Sequence, residues 1–217
     1  MLMKDKFDFS EEECKILSEL DSPKKIQNFL DKMKYNLEED GETCFSPRKV
    51  LRKGKANCIE GALFAAAALR FHEHKPMIID LVSVRDEDHI IAVFKENDHW
   101  GAIAKSKFTG LAFREPIHKT IRELVLSYFE GYFNYDCEKT LRGYSLPINL
   151  EKFDKMNWMI SKENLFFFED YLKKVKHKKL ITDKMIRNLR RVTPLMEEAG
   201  ELWMIKNNLL EKVKSKL

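Results

Sequence analysis

The apolar and polar positions divide this chain into three stretches of different character. Up to about residue 52, short apolar sets recur at helical spacing between polar turns. Ile26, Phe29, Leu30 and Met33 share one face behind Ser22-Pro23, a cap followed by a proline at the first helical position. A shorter helix is predicted over residues 11–20, and another opens at Ser46-Pro47 with Val50 and Leu51 inside it. Residues 36–44 (NLEEDGETC) are polar and turn-like. Lys53-Gly54-Lys55 then ends the third helix and leads into the stretch around which the chain is organised. Asn57 is a good N-cap, and Glu60 three residues on completes a capping box. The alanine-rich run 62–69, with Leu63, Phe64 and Leu69, is apolar nearly all round. A surface helix keeps a polar face, so this one is predicted to be buried on most sides, with the rest of the chain wrapped about it.

Beyond His74 the period changes to that of strands. Residues 76–83 (PMIIDLVS) and 89–95 (HIIAVFK) are β-rich, Glu96-Asn97-Asp98-His99 is a tight-turn signal, and residues 100–104 form the returning strand. This predicts a meander of at least three strands, mostly antiparallel, with residues 110–116 a candidate fourth. Residues 117–133 are predicted as a helix whose apolar side carries Ile121, Leu124, Val125, Tyr128 and Phe129. Residues 140–150 are extended, with no assignable element. From Glu151 the pattern turns helical again. Leu165-Phe166-Phe167-Phe168 should dock on the core, and Thr193-Pro194 opens a last helix carrying Met196, Leu202, Trp203, Ile205 and Leu209. The expected fold class is therefore α+β, a buried central helix packed on an antiparallel sheet, with helical segments at both ends. Residues 1–150 are expected to form the core with its N-terminal helices, and residues 151–217 a helical, basic extension docked on it.

Composition narrows the function classes. With 217 residues, 44% hydrophobic and 34% charged, the chain is long enough for a sizeable core. A net charge of +4 does not by itself imply a nucleic-acid partner. Lys173, Lys174, Lys176, Lys178 and Lys179 cluster in the extension, but no aromatic residues interleave them as a base-stacking platform would need. A solvated helical face is the plainer account, and contact with an acidic partner or nucleic acid is the alternative. No stretch approaches ~18 uncharged apolar residues, and the charged N-terminus lacks a signal-like apolar core, so neither a membrane span nor secretion is expected. The four cysteines (14, 44, 58 and 137) contain no CxxC pair, which argues against a zinc ribbon and for free thiols in a reducing, cytoplasmic setting. His72 and His74, two apart, do not share a helical face, so no metal site is expected there. Asp86-Glu87-Asp88 is most simply a solvated turn. There is no phosphate-binding glycine loop or dinucleotide fingerprint, and no cofactor is expected.

Candidate chemistry centres on Cys58, which lies in the first turn of the central helix, where the positive end of the helix dipole favours a thiolate. A thiol nucleophile needs a base nearby and a group that orients the base. His89, at the head of the second strand, is the best candidate base. With Asn97-Asp98 at the turn centre, Glu96 faces His99, and counting back along the ladder places Ser106 opposite His89. Ser106 is thus the natural orienting residue, and a one-residue slip would put Lys105 there instead. Each residue also has a plain structural role open to it: Cys58 as a buried small hydrophobe, His89 as a strand histidine. Cys44, in the loop before Ser46-Pro47, could face the same cleft, whereas Cys14 and Cys137 have no histidine context.

Gly54-x-x-x-Cys58-x-x-x-Ala62-Leu63-x-x-Ala66-x-Leu69-Arg70, then Pro76 opening a strand, His89 heading the next and Trp100 on the return strand, resembles the transglutaminase-like superfamily over about residues 45–110. The resemblance implies a papain-like α+β core and a Cys-His-Asp triad with the cysteine at the start of the central helix. It also implies amide-bond hydrolysis or transfer through a thioester, with no metal or organic cofactor. Cys58 then matches the nucleophile and His89 the general base, and the Cys58 backbone N–H contributes to an oxyanion hole. The third position departs from the pattern: after Trp100 come Gly-Ala-Ile-Ala-Lys-Ser, with no acid until Glu115. Either Ser106 substitutes, or a carboxylate arrives from elsewhere (Asp80, Asp88 or Asp98), or the Cys-His pair works alone, or catalysis is lost. The expectation is a cysteine-dependent amide hydrolase or acyltransferase acting on a peptide, an isopeptide or a small amide. The alternative is a catalytically silent binding or scaffold protein that keeps the fold. The oligomeric state leaves no trace in the sequence.

Overall fold

The computed structural model describes residues 8–207 and 209–210. The described chain opens with α1 (Glu11–Glu19) and α2 (Pro23–Lys32), followed by a two-residue strand β1 (Lys34–Tyr35), α3 (Pro47–Lys53), β2 (Lys55–Ala56) and α4 (Cys58–Phe71). Ser22 stands at the predicted N-cap of α2 but makes no side-chain cap bond. Ser10 and Glu13 close a capping box on α1, and Ser46 accepts from the Lys49 N–H on α3. Gly54, at φ 64°, ends α3 in the left-handed conformation that costs glycine least. Asn57 and Glu60 close the capping box on α4. All residues of α4 from Ile59 to Arg70 are buried, as its all-round apolar pattern requires.

The strand region follows as β3 (Met77–Ser83), β4 (His89–Glu96), β5 (His99–Ile103), β6 (Arg114–His118), the helix α5 (Ile121–Phe129), β7 (Leu141–Ser145) and β8 (Ile148–Asn149). The C-terminal part adds α6 (Phe167–Leu172), β9 (His177–Lys179), α7 (Asp183–Arg187) and α8 (Pro194–Lys206). The main sheet runs β6-β5-β4-β3-β7-β9, antiparallel throughout, with β8 paired to the start of β3. The β4–β5 hairpin has the predicted register, Glu96 opposite His99. Its two turn residues, Asn97 and Asp98, have φ of 47° and 63°, the doubly left-handed geometry that matches strand twist.

Helices cover both faces of the sheet. On one face α4 lies against Ile78, Ile90, Ala92 and Ile103, and α1, α2 and α3 close over its far side. On the other face Ile79, Ile91, Val93 and Ala102 pack with Leu124, Val125 and Tyr128 of α5. Burial on both faces is why β3 and β4 are continuous apolar runs rather than alternating ones. The α+β class with an antiparallel sheet is thus as expected.

Several sequence expectations differ from the structure. Residues 114–118, in the region predicted partly as helix, form edge strand β6, where Pro116 needs no ladder N–H. The helix begins only after Thr120, whose side chain caps the Glu123 N–H. Residues 140–150 hold two strands; β7 is inside the sheet and nearly all buried, so it shows no alternation to detect. The extension is not all-helical: His177–Lys179 is a strand at the open edge of the sheet. Lys178 and Lys179 therefore decorate a strand edge, where charge blunts pairing with other chains, rather than a helix face. Both hydrophobic clusters run past residue 150, through Phe153, Trp158, Leu165 and Phe168 in one and Leu180 and Ile181 in the other. Leu209 lies beyond α8. Among the described residues no helix is long and apolar enough to cross a membrane.

Candidate active site

The site is built where the start of α4 meets the start of β4. Cys58 is the first residue of α4, and its position is fixed from behind by Glu60. That carboxylate is fully buried and accepts from the backbone N–H groups of Asn57 (2.8 Å) and Phe45 (2.9 Å), from Thr43 Oγ1 (2.7 Å) and from Asn36 Nδ2 (3.0 Å). One residue thereby caps the helix and ties the 36–45 loop to it.

Cys58, His89 and Ser106 all line one narrow cleft, with Tyr35, Glu87, Lys107 and Tyr132 among its walls. Its free volume is about 20 Å³, room for one water-sized group. The imidazole of His89 is buried, and its Nε2 lies 2.9 Å from the Leu111 carbonyl. A carbonyl can only accept, so Nε2 carries the proton and Nδ1 is left as a bare acceptor. The rings of Tyr128 and Tyr132 stand edge-on to the imidazole, 6.4 and 6.5 Å between centroids. The Cys58 sulfur faces the backbone N–H groups of Ile90 and Ile59. No hydrogen bond joins it to the imidazole among the described residues.

Burial sets both protonation states. It pushes the Cys58 thiol up to about 12, against the opposing pull of the Ile90 N–H. It lowers His89 to about 4, with the Leu111 hydrogen bond acting the other way and the charge of Arg114 adding to the fall. At neutral pH the two groups are a thiol and a neutral imidazole. The expected bias of the helix dipole toward thiolate is outweighed, because the protein packed around the cleft desolvates the partly exposed Cys58 thiol more than the helix end and the Ile90 N–H favour its charge.

Ser106 stands in the cleft, but its oxygen accepts from the Phe108 N–H at 2.9 Å, and the partner of His89 is the Leu111 carbonyl. The β4–β5 ladder ends at Ala92 opposite Ile103, short of the projected His89–Ser106 pair. Helix α2 draws the chain away just beyond it. The Gln27 amide binds the Ala104 backbone in both directions at 3.0 Å, and Lys105 Nζ donates to the Leu30 and Met33 carbonyls at 2.6 and 2.5 Å. Lys105 crosses α4 at Gly61, where an added Cβ would sit 2.5 Å from the Lys105 Cβ, so any other residue there forces the Lys105 stem to shift.

None of the carboxylates near in sequence is bonded to His89. Asp80 binds His177 at 2.9 Å, Asp88 accepts from the Ser83 N–H and Asp98 pairs with Lys95. Glu87 acts on His89 only through space and is itself bridged to Lys107 at 2.8 Å. The Leu111 carbonyl was invisible in the sequence because a backbone acceptor has no residue-type signal. Cys44 does not line the cleft; it is fully buried and its thiol is raised by burial. Cys137 meets Glu197 at 3.2 Å on another face. Among the described residues no group of three or more His, Cys, Asp or Glu side chains is placed to hold a metal. Neither the models of known protein families nor the curated proteins yield a match to this chain.

Proposed function

We propose that the chain is a cysteine-dependent amide hydrolase or acyltransferase of transglutaminase-like type. The observation that carries this is the joint position of Cys58 and His89 at one cleft, with the His89 proton held on Nε2 so that Nδ1 is free to accept. Cys58 Sγ attacks the carbonyl carbon of a peptide, an isopeptide or a small amide, and the thiol proton passes to Nδ1 as the S–C bond forms. The Cys58 N–H at the open end of α4 donates to the resulting oxyanion. Collapse breaks the C–N bond, the imidazolium returns its proton to the leaving amine, and a thioester remains. Water or a second amine, deprotonated by the same nitrogen, resolves it. With both groups neutral at rest, this is general-base activation within the attack step rather than a standing thiolate–imidazolium pair.

A second reading is a binding or scaffold protein that keeps such a fold without catalysis. The thiol raised to about 12, the imidazole lowered to about 4 and the absence of a carboxylate bonded to His89 among the described residues favour it. The pH dependence of iodoacetamide labelling at Cys58, followed by mass spectrometry, separates the two. The catalytic reading requires labelling of Cys58 at neutral pH that depends on His89 as proton acceptor, so that His89→Ala slows it well below the wild-type rate. Labelling no faster than at Cys137, with no change in His89→Ala, would leave the scaffold reading standing.

A further inference from the structure

A second cleft, of about 140 Å³, lies across the β3–β4 turn from Cys58, between that turn, the start of β7 and the segment after α7. Its walls carry Arg85, Lys139, Arg142, Arg190 and Arg191 against a single lining carboxylate, Glu138, and have an apolar side made by Ile186 and Leu189. Glu138 is already engaged: one of its oxygens accepts from Arg85 at 2.8 Å, and the other is 3.8 Å from Arg191. Lys139 is bridged to Glu130. Arg142 and Arg190 meet no carboxylate among the described residues. Arg142 is half-buried, and its Nη1 is tied to the Lys139 and Leu141 carbonyls at 2.8 and 3.0 Å, which fixes the guanidinium in the wall. The loop opposite is also fixed, by the Val192 N–H on the Cys137 carbonyl (3.0 Å) and by Arg191 on the Asp136 carbonyl (3.2 Å).

Five cations thus converge on a preformed cleft with two carboxylates to offset them. Arg85, Arg190 and Arg191 reach into solvent and only Arg142 is half-buried, so the like charges repel one another across the cleft mouth, and an anion seated between them relieves that repulsion. Burial first, and then the neighbouring Arg85 charge, lower the Arg142 pKa, with Glu138 acting the other way. Arginine forks match the oxygens of a phosphoryl group, and the volume suits one such group. We propose that this cleft binds a small phosphomonoester, its phosphoryl oxygens on Arg142 and Arg190 and its organic part against Ile186 and Leu189.

The test is calorimetric titration of the full chain with phenyl phosphate and with inorganic phosphate at constant ionic strength. Phenyl phosphate is expected to bind more tightly than inorganic phosphate. Arg142→Gln and Arg190→Gln should each weaken it about tenfold, while Lys173→Gln/Lys174→Gln leaves it unchanged. Arg190 is exposed, so its variant keeps the test valid even if Arg142→Gln folds poorly. Three results would overturn the proposal: no binding above a chloride control, equal losses in the lysine variant, or equal affinity for the two phosphates. Tighter, steeply salt-dependent binding of single-stranded RNA would overturn it in favour of a nucleic-acid surface.

Discussion

Replacing Glu60 by glutamine should cost far more than the loss of one charge suggests. Both carboxylate oxygens accept only from donors. Oε1 takes the Phe45 N–H and the Thr43 hydroxyl, and Oε2 takes the Asn57 N–H, with the Asn36 amide touching both. A glutamine NH2 has no acceptable orientation. Placed on the first side it confronts the Phe45 N–H, and on the second the Asn57 N–H. At least one buried backbone donor loses its charged acceptor, and hydrogen bonds to charged groups contribute about 1.5–3 kcal/mol each. Glu60→Gln is therefore expected to lower stability by about 2–3 kcal/mol. Glu60→Ala strands four donors and removes the cap, for a loss of about 4 kcal/mol or more. That is a large share of the 5–15 kcal/mol typical of a folded domain. Urea denaturation at pH 7 measures both, with the wild-type slope as the two-state control. The order Ala > Gln > wild type in destabilisation is the expected result. A Glu60→Gln protein within about 0.5 kcal/mol of wild type would refute the view that both oxygens are committed acceptors.

Three further outcomes follow from the packing and the protonation states. His89 falls from an ordinary 6.5 to about 4 on folding, so its contribution is intact above pH 6.5 and is lost as pH falls toward 4, by about 3 kcal/mol in all. Asp80, raised by burial against the opposing His177 hydrogen bond, contributes in the opposite sense, stabilising in acid and losing that as pH rises through its raised pKa, so the His89 share must be read as a difference. Denaturation from pH 4 to 7 should show a flatter difference curve in His89→Gln, and parallel curves would refute the buried neutral imidazole. Gly61→Ala should lower the thermal midpoint despite alanine's helix preference of about 1 kcal/mol, because overpacking against the Lys105 stem costs about 1–3 kcal/mol; a raised midpoint would show that Lys105 can move aside. Truncation after residue 150 removes Trp158 and Phe168, both fully buried, and is expected to abolish cooperative unfolding. A truncated chain with a sharp transition would instead establish residues 1–150 as an independent core.

What could be read from the sequence is what local chemistry dictates. The α4 capping box, Gly54 as the end of α3, the Asn97-Asp98 turn and the β4–β5 register each depend on a few adjacent residues, and each is present. The failures come from distance. β7 pairs with β3 across some sixty residues, and nothing in its own composition announces that. β9 was hidden by its lysines, which mark an edge strand as readily as a helix face. Extending the ladder past its end puts Ser106 opposite His89, but the ladder stops where Gln27 of α2 binds the Ala104 backbone and Lys105 reaches the Leu30 carbonyl of the same helix. The hydrogen bond that fixes the His89 tautomer goes to a backbone carbonyl, and residue types say nothing about backbone carbonyls.

The balance at Cys58 shows why position in a helix is an incomplete guide to reactivity. A helix N-terminus favours a negative charge by about 0.3–1 kcal/mol at the surface and by up to ~2 kcal/mol in partly buried settings. Desolvation works against the charge by more, since a thiol moved from 9 to about 12 corresponds to roughly 4 kcal/mol. The dipole cannot supply a thiolate here, so any chemistry depends on proton transfer to Nδ1 of His89 during attack. That makes the Leu111 carbonyl important, because it keeps the proton on Nε2. Leu111 belongs to the short 3-10 helix Thr109–Leu111, and α8 packs directly on that segment. A Cβ at Gly200 of α8 would sit 2.7 Å from the Phe133 ring, which itself lines the Cys58 cleft. The C-terminal helix therefore bears on the same wall that orients the histidine, and the site belongs to the whole described fold rather than to the stretch of sequence that first suggested it.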